Sequence, residues 1–187
     1  SRTSLLNLQT GAWDPELCAL FEVPMEALPA IEPTTGALGT LPGDRKLTAS
    51  VVDQQAALYG HGARKPGDTK ITFGTGAFAL TLTGKLTPAD GPLPTIAWSD
   101  GAGSNVHALD GGVYAASSAV NWARSLGLFS DFAQIDNFSR DPAISRGIAF
   151  VPALAGLACP HWDRTAKGAW MGLSLDSTPE DLVQAVL

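Results

Sequence analysis

Ala49-Ser50-Val51-Val52-Asp53-Gln54-Gln55-Ala56-Ala57-Leu58-Tyr59-Gly60 decides the reading of this chain. The apolar residues of Leu47–Val52 read as a strand, and Gln54–His61 as a helix. Asp53 stands at the junction. Asp is a favoured N-cap, so capping alone accounts for it as well as any catalytic role does. The two roles are compatible, because a carboxylate fixed at a helix start is also placed to act as a base. Gln54 would ordinarily be a solvated first-turn residue. It gains interest by adjoining Asp53 at the end of a strand, where α/β proteins bind ligands.

The second informative stretch is Phe73-Gly74-Thr75-Gly76-Ala77-Phe78. Gly74-x-Gly76-x-x-Ala79 formally matches a relaxed dinucleotide fingerprint, which requires a following helix. Leu80-Thr81-Leu82-Thr83 alternates with period two instead, so a strand follows and that match fails. Two readings remain. One is a plain hairpin whose glycines supply positive φ. The other is a phosphate clamp, with the Thr75 hydroxyl and nearby N–H groups facing anionic oxygens. Phosphoryl transfer uses a carboxylate to deprotonate an alcohol and a tight turn to hold phosphate. Gly101-Ala102-Gly103-Ser104, between Asp100 and Asn105, reads as a turn only.

Outward from these stretches the chain mixes strands and helices, which implies an α/β or α+β architecture. Leu5–Leu8 is a short strand candidate, and Asp14 caps a helix through Leu17, Leu20 and Phe21. Met25–Leu28 adds a turn of helix. Glu32–Arg45 reads as loop with at most one weak strand. Lys65–Asp68 is the best hinge candidate. Strands are expected at Thr69–Phe73, Phe78–Thr83, Thr95–Trp98, Val106–Leu109, Ile148–Val151 and Ala169–Leu173. A long helix is expected over Gly112–Leu126, because Val113, Ala116, Val120 and Ala123 recur at helical spacing. Residues Ser130–Arg146 look irregular or weakly helical. Thr178-Pro179-Glu180-Asp181 opens a final helix whose apolar stripe reaches Leu187, which reads as a helix cut short.

The 187 residues carry 12 basic and 18 acidic side chains, a net −6. That balance argues against nucleic acid or an anionic membrane as the main partner. It leaves ATP open, since backbone N–H groups and metal hold ATP locally. The 45% apolar content suffices for a core. No apolar run approaches the ~20 residues that span a bilayer. Cys18 and Cys159 make no disulfide framework, and a reduced, cytoplasmic compartment is the default. His61, His107 and His161 have no metal-ligand spacing with the cysteines. His61 suits a helix end. Cys159-Pro160-His161-Trp162-Asp163 reads as a structural loop with a buried Trp, since the thiol has no identifiable base.

Together the Asp53 and Thr75 stretches resemble the FGGY carbohydrate kinases, in the form carried by the glycerol kinases among them. Further segments carry the likeness: Ser1–Asn7 with Trp13-Asp14, Ala108–Gly111 through Asn121-Trp122, and Val151–Leu157 through Pro160–Asp163 with Gly168-Ala169. The resemblance covers nearly the whole chain in order. It implies an α/β, actin-like or ribonuclease H-like ATPase fold, present in part, whose two domains close over a cleft. Residues 1–64 would end the first, substrate domain, and residues 65–187 would begin the second, nucleotide domain. Glycerol and ATP with Mg²⁺ are the implied substrates and cofactor. Asp53 is the implied general base, Gln54 and Phe78 contact the polyol, and Thr75 with Gly76 binds the transferred phosphate. Ser117 and Asn121 stand where the family's glycerol kinases carry Gly and Gln at the nucleotide, a departure that bears on those contacts. Pentulose kinases vary both main stretches and are the alternative, as is a non-catalytic actin-like module. The family's N-terminal phosphate loop, Arg-Glu substrate pair and late adenosine segment have no counterpart here, so the chain reads as an internal piece, inactive alone. Whether the full-length protein is a homo-oligomer is left open.

Overall fold

The computed structural model describes residues 3–100 and 104–187, so the Gly101-Ala102-Gly103 turn lies outside the described residues. The chain divides into two compact units, one of Ser1–Lys70 with Ala79–Asp110 and one of Ile71–Phe78 with Gly111–Leu187.

In the first unit, α1 (Pro15–Leu20) begins at Asp14, whose side chain accepts from the Glu16 and Leu17 N–H groups. A 3-10 turn at Met25–Ala27 follows. Strands β1 (Thr35–Leu41) and β2 (Arg45–Ala49) form an antiparallel hairpin. Helix α2 spans Asp53–Gly60. Strands β3 (Thr69–Phe73), β4 (Ala77–Thr83), β5 (Leu93–Ser99) and β6 (Asn105–Val113) form one sheet in the order β3-β4-β6-β5. Strands β3, β4 and β6 contribute residues to both units. Strict alternation in β4 turns Leu80 and Leu82 inward, and α2 sets Leu58 among them with Ala63, Ala97 and Ala108. This buried set is the period-two and period-3.6 pattern of the sequence made physical.

The second unit holds α3 (Ser117–Ser125), 3-10 turns at Phe132–Ile135 and Ala143–Arg146, the two-stranded sheet β7 (Ala149–Val151) with β8 (Ala169–Met171), and α4 (Pro179–Val186). Ala123, Phe129 and Val183 are its buried centre, surrounded by Val120, Leu128, Ile135 and Phe138. Trp122 stacks on Phe150 and Trp170 with ring centroids 5.9 and 5.3 Å away. Among the described residues no helix is long and apolar enough to cross a membrane.

Several expectations are corrected. The weak strand allowed within Glu32–Arg45 is present as β1, but it spans seven residues and pairs with β2 in a hairpin that its Gly-Ala-Leu-Gly composition does not announce. The strand expected over Leu47–Val52 stops at Ala49, opposite Thr35, and leaves Val51 and Val52 more than 40% exposed. Leu5–Leu8 is reduced to a single bridge between Leu6 and Trp13. The long helix begins at Ser117, not Gly112, because Gly112 and Val113 end β6. The helical spacing of Val113 and Ala116 was coincidence across a strand end. Trp162 is 43% exposed rather than buried.

Candidate active site

Asp53 is the first residue of α2, and Val52 is the N-cap with no side-chain capping bond. The expected cap role is therefore corrected: the carboxylate sits in the first turn, where the helix dipole favours it, and is not needed to close the helix. Asp53 is exposed, and its Oδ1 accepts the Gln54 N–H at 2.8 Å. Gln54 is half-buried rather than solvated, and its Oε1 accepts a hydrogen bond from Lys70 Nζ at 2.7 Å.

Lys70 escaped the sequence reading. In β3 the side chains invert the usual sense, with Lys70 only 7% exposed while Ile71 and Phe73 are 54% and 74% exposed. The alternation of Lys70 and Thr72 against Ile71 and Phe73 was visible. Which face was buried was not, because an apolar pair normally claims the inside.

In the second unit, Thr75 and its glycines join β3 to β4, with the Gly74 N–H donating to Gly76 O at 2.8 Å. Neither Gly74 nor Gly76 has positive φ, so the expected conformational reason for them is corrected. Gly76 is required by close approach: a Cβ there would collide with the Val113 carbonyl oxygen and lie 3.1 Å from that of Tyr114. The turn also caps α3. Ala116, at its N-cap position, offers no side-chain bond. The Thr75 carbonyl instead accepts from Ala116 N at 2.9 Å, Ser118 N at 3.2 Å and Ser118 Oγ at 2.8 Å, and Gly74 O accepts from Ser117 N at 3.1 Å.

Thus the N–H groups at the start of α3 are already engaged by the turn. The Thr75 carbonyl is committed to the helix, and its hydroxyl, on an exposed residue, is what it can offer a ligand. Ser117 and Asn121 lie four apart on α3, on one face, and both are exposed. Phe78 is 42% exposed, and its ring rests on Gly112, where a Cβ would come within 2.9 Å of Cδ1. The Cys159 N–H donates to Gly112 O at 3.1 Å, which makes Cys159 a packing residue beside β6.

The Asp163 carboxylate accepts from Thr165 Oγ1 at 2.7 Å and from the Thr165 and Ala166 N–H groups, and these bonds, the Thr165 hydroxyl first, hold its pKa below the ordinary value. His61 is the C-cap of α2, the helix-end position expected of it. Among the described residues no three His, Cys, Asp or Glu gather as a metal cluster. The expected site residues therefore fall into two sets: Asp53 and Gln54 in the first unit, and Thr75, Gly76, Phe78, Ser117 and Asn121 in the second.

Residues 69–187 match the C-terminal domain of the FGGY family of carbohydrate kinases. A glycerol kinase of Synechocystis sp. is 39% identical over all of this chain and 40% of its own length. The crystal structure of Plasmodium falciparum glycerol kinase with ADP superimposes on 97% of this chain and 38% of its own, at TM-score 0.81 and 27% identity. A ligand-bound xylulose kinase from Lactobacillus acidophilus superimposes on 97% of this chain and 39% of its own, at TM-score 0.77 and 25% identity. The chain spans about 40% of the length of the curated relatives it matches.

Proposed function

The chain belongs to the FGGY family of carbohydrate kinases, with part of that family's actin-like α/β fold, and from this we propose that it is a segment of a longer polypeptide that transfers the γ-phosphoryl group of ATP to a terminal hydroxyl of glycerol. Asp53 takes the proton of the attacking hydroxyl. The alcohol oxygen bonds to the γ-phosphorus as the bond to the ADP oxygen breaks. Gln54 and Phe78 hold the polyol, by a hydrogen bond and by apolar contact with its carbon face. Thr75 and Gly76 receive the transferred phosphate, and Ser117 with Asn121 line the nucleotide side. Such chemistry rests on positioning and electrostatics rather than on covalent steps by the protein.

Mg²⁺ would supply charge neutralisation on the phosphates. It usually keeps several waters and needs only one or two carboxylates besides phosphate oxygens. We place the boundary between substrate and nucleotide domains after Arg64, a division supported by the family match beginning at Thr69. A cytoplasmic location is supported by Cys18 and Cys159, both free thiols.

The observation that carries the reading is the exposed Asp53 carboxylate at the start of α2, beside a glutamine held in place from below. The test uses the full-length protein, ADP release being followed with glycerol and with xylulose as acceptor. Asp53→Asn should lower kcat with glycerol about 10²–10⁴-fold, the usual worth of a general base. Its Oδ1 can still accept the Gln54 N–H, so the thermal midpoint should hold. A kcat within a few-fold of wild type removes Asp53 from the chemistry, and preferred turnover of xylulose reassigns the substrate. The 187-residue chain alone should show no turnover.

A further inference from the structure

We propose that Ser118 is a positioning residue for phosphoryl transfer, acting through the main chain of Thr75; this rests on the kinase reading above. Both residues belong to the second unit. Three of the bonds that tie the Gly74–Gly76 turn to the start of α3 are donated by main-chain N–H groups, those of Ala116, Ser117 and Ser118. Any residue but proline would supply them. A fourth is donated by Ser118 Oγ to the Thr75 carbonyl at 2.8 Å, across 43 positions of sequence. It is the shortest of the three bonds on that oxygen, the two N–H bonds being 2.9 and 3.2 Å. Of these four bonds it alone depends on which side chain is present.

Thr75 stands between two glycines. Gly has no Cβ to limit the tilt of the peptide that joins it to its neighbour, so the plane of the Thr75–Gly76 peptide is held by what its carbonyl bonds to. Without the Ser118 hydroxyl, that oxygen keeps only Ala116 N and the longer bond from Ser118 N. A tilt of the plane changes ψ of Thr75. The open χ1 choices of a β-branched side chain depend on φ and ψ, so the Thr75 hydroxyl moves with the plane. A misplacement of about 1 Å in a positioning group can cost ~10²-fold in rate. Ser118 is half-buried and Thr75 exposed, as suits a support and the group it supports. The one proton of the Ser118 hydroxyl is engaged by Thr75 O, so only its lone pairs remain, and these repel phosphate oxygens. Ser118 therefore serves the site through Thr75 rather than as a ligand group.

The experiment is a kinetic cycle on the full-length protein with Ser118→Ala, Thr75→Ala and the double variant, ADP release being followed with glycerol as the varied substrate and the thermal midpoint measured beside it. Ser118→Ala should lower kcat about tenfold and hold the glycerol KM within about twofold, the split expected when a group that acts on the transferred phosphate is misplaced. The double variant should match Thr75→Ala in kcat, because a support has nothing to add once the hydroxyl it orients is gone. Ser118→Thr keeps the donor and should hold kcat within a few-fold of wild type. If Ser118→Ala does not fold, Ser118→Cys replaces it in the cycle, since a thiol is only a weak donor, and kcat should again fall at constant KM. Unchanged kcat in Ser118→Ala beside lowered kcat in Thr75→Ala, whatever the thermal midpoint, makes Ser118 a helix cap alone; it overturns the assignment and leaves the kinase reading standing. So does a double variant in which the two losses multiply, or a Ser118→Thr variant as slow as Ser118→Ala. Unchanged kcat in both single variants removes the Thr75 hydroxyl from the transferred phosphate, and the assignment falls with that part of the reading.

Discussion

Thr75 serves the fold with its backbone, which leaves its side chain to the ligand role proposed for it. Its carbonyl caps α3 through Ala116, Ser118 N and Ser118 Oγ, none of which involves the threonine hydroxyl. Thr75→Ala should therefore leave the thermal midpoint unchanged while lowering kcat about 10²-fold, the scale of one lost donor to developing charge. Thr75→Ser should retain most of the activity. A raised glycerol KM at unchanged kcat would place the hydroxyl on the polyol instead. The start of α2 at Asp53 and the turn at Thr75 between two strands were legible because both follow from local pattern. Lys70 was not, since its burial depends on which face of β3 meets α2, and that is settled by packing across distant sequence. The reason for Gly76 was likewise hidden: the carbonyl it must avoid belongs to Val113, on another strand.

At the scale of elements, α4 carries the clearest electrostatic device. Thr178 N and Oγ1 donate to Asp181 Oδ2 at 2.9 and 3.0 Å, and Arg146 pairs with Oδ1 at 2.7 Å. Arg140 lies 3.2 Å from Oδ2. Asp181 is 1% exposed. The Thr178 backbone bond first, then the Arg146 side chain, push its pKa well below the ordinary 3.8. A carboxylate depressed in the folded state stabilises fully above its unfolded pKa, and that contribution is lost as pH falls through the folded value. Stability measured by denaturant titration should thus drop on descending below about pH 4. Asp181→Asn should be less stable at pH 7 and show a shallower acid decline; an acid limb identical to wild type would mean other carboxylates, such as Asp163, govern it. The Thr178-Pro179 start of α4 was readable from sequence because caps are local. The β1–β2 hairpin and the true start of α3 were not, because each depends on pairing or packing with residues elsewhere in the chain.

For the molecule as a whole, family and fold followed from the Asp53 and Thr75 stretches with further segments in order along the chain, while the extent of the sheet did not. Strand β3 is an outer strand of the four-stranded sheet among the described residues, and it carries Ile71 and Phe73 outward. Exposed apolar side chains on an outer strand make it a place where another strand can add. In solution, the 187-residue chain should therefore behave as a poor colloid despite its net charge of −6. Light scattering should rise with concentration and storage time, and salt should speed it by screening the mutual repulsion. Phe73→Glu, which plants a like charge on that strand, should keep the chain monomeric in sedimentation at concentrations where the unaltered chain associates. Equal sedimentation of both would show that the strand is shielded, and that handling this chain at high concentration requires no such precaution.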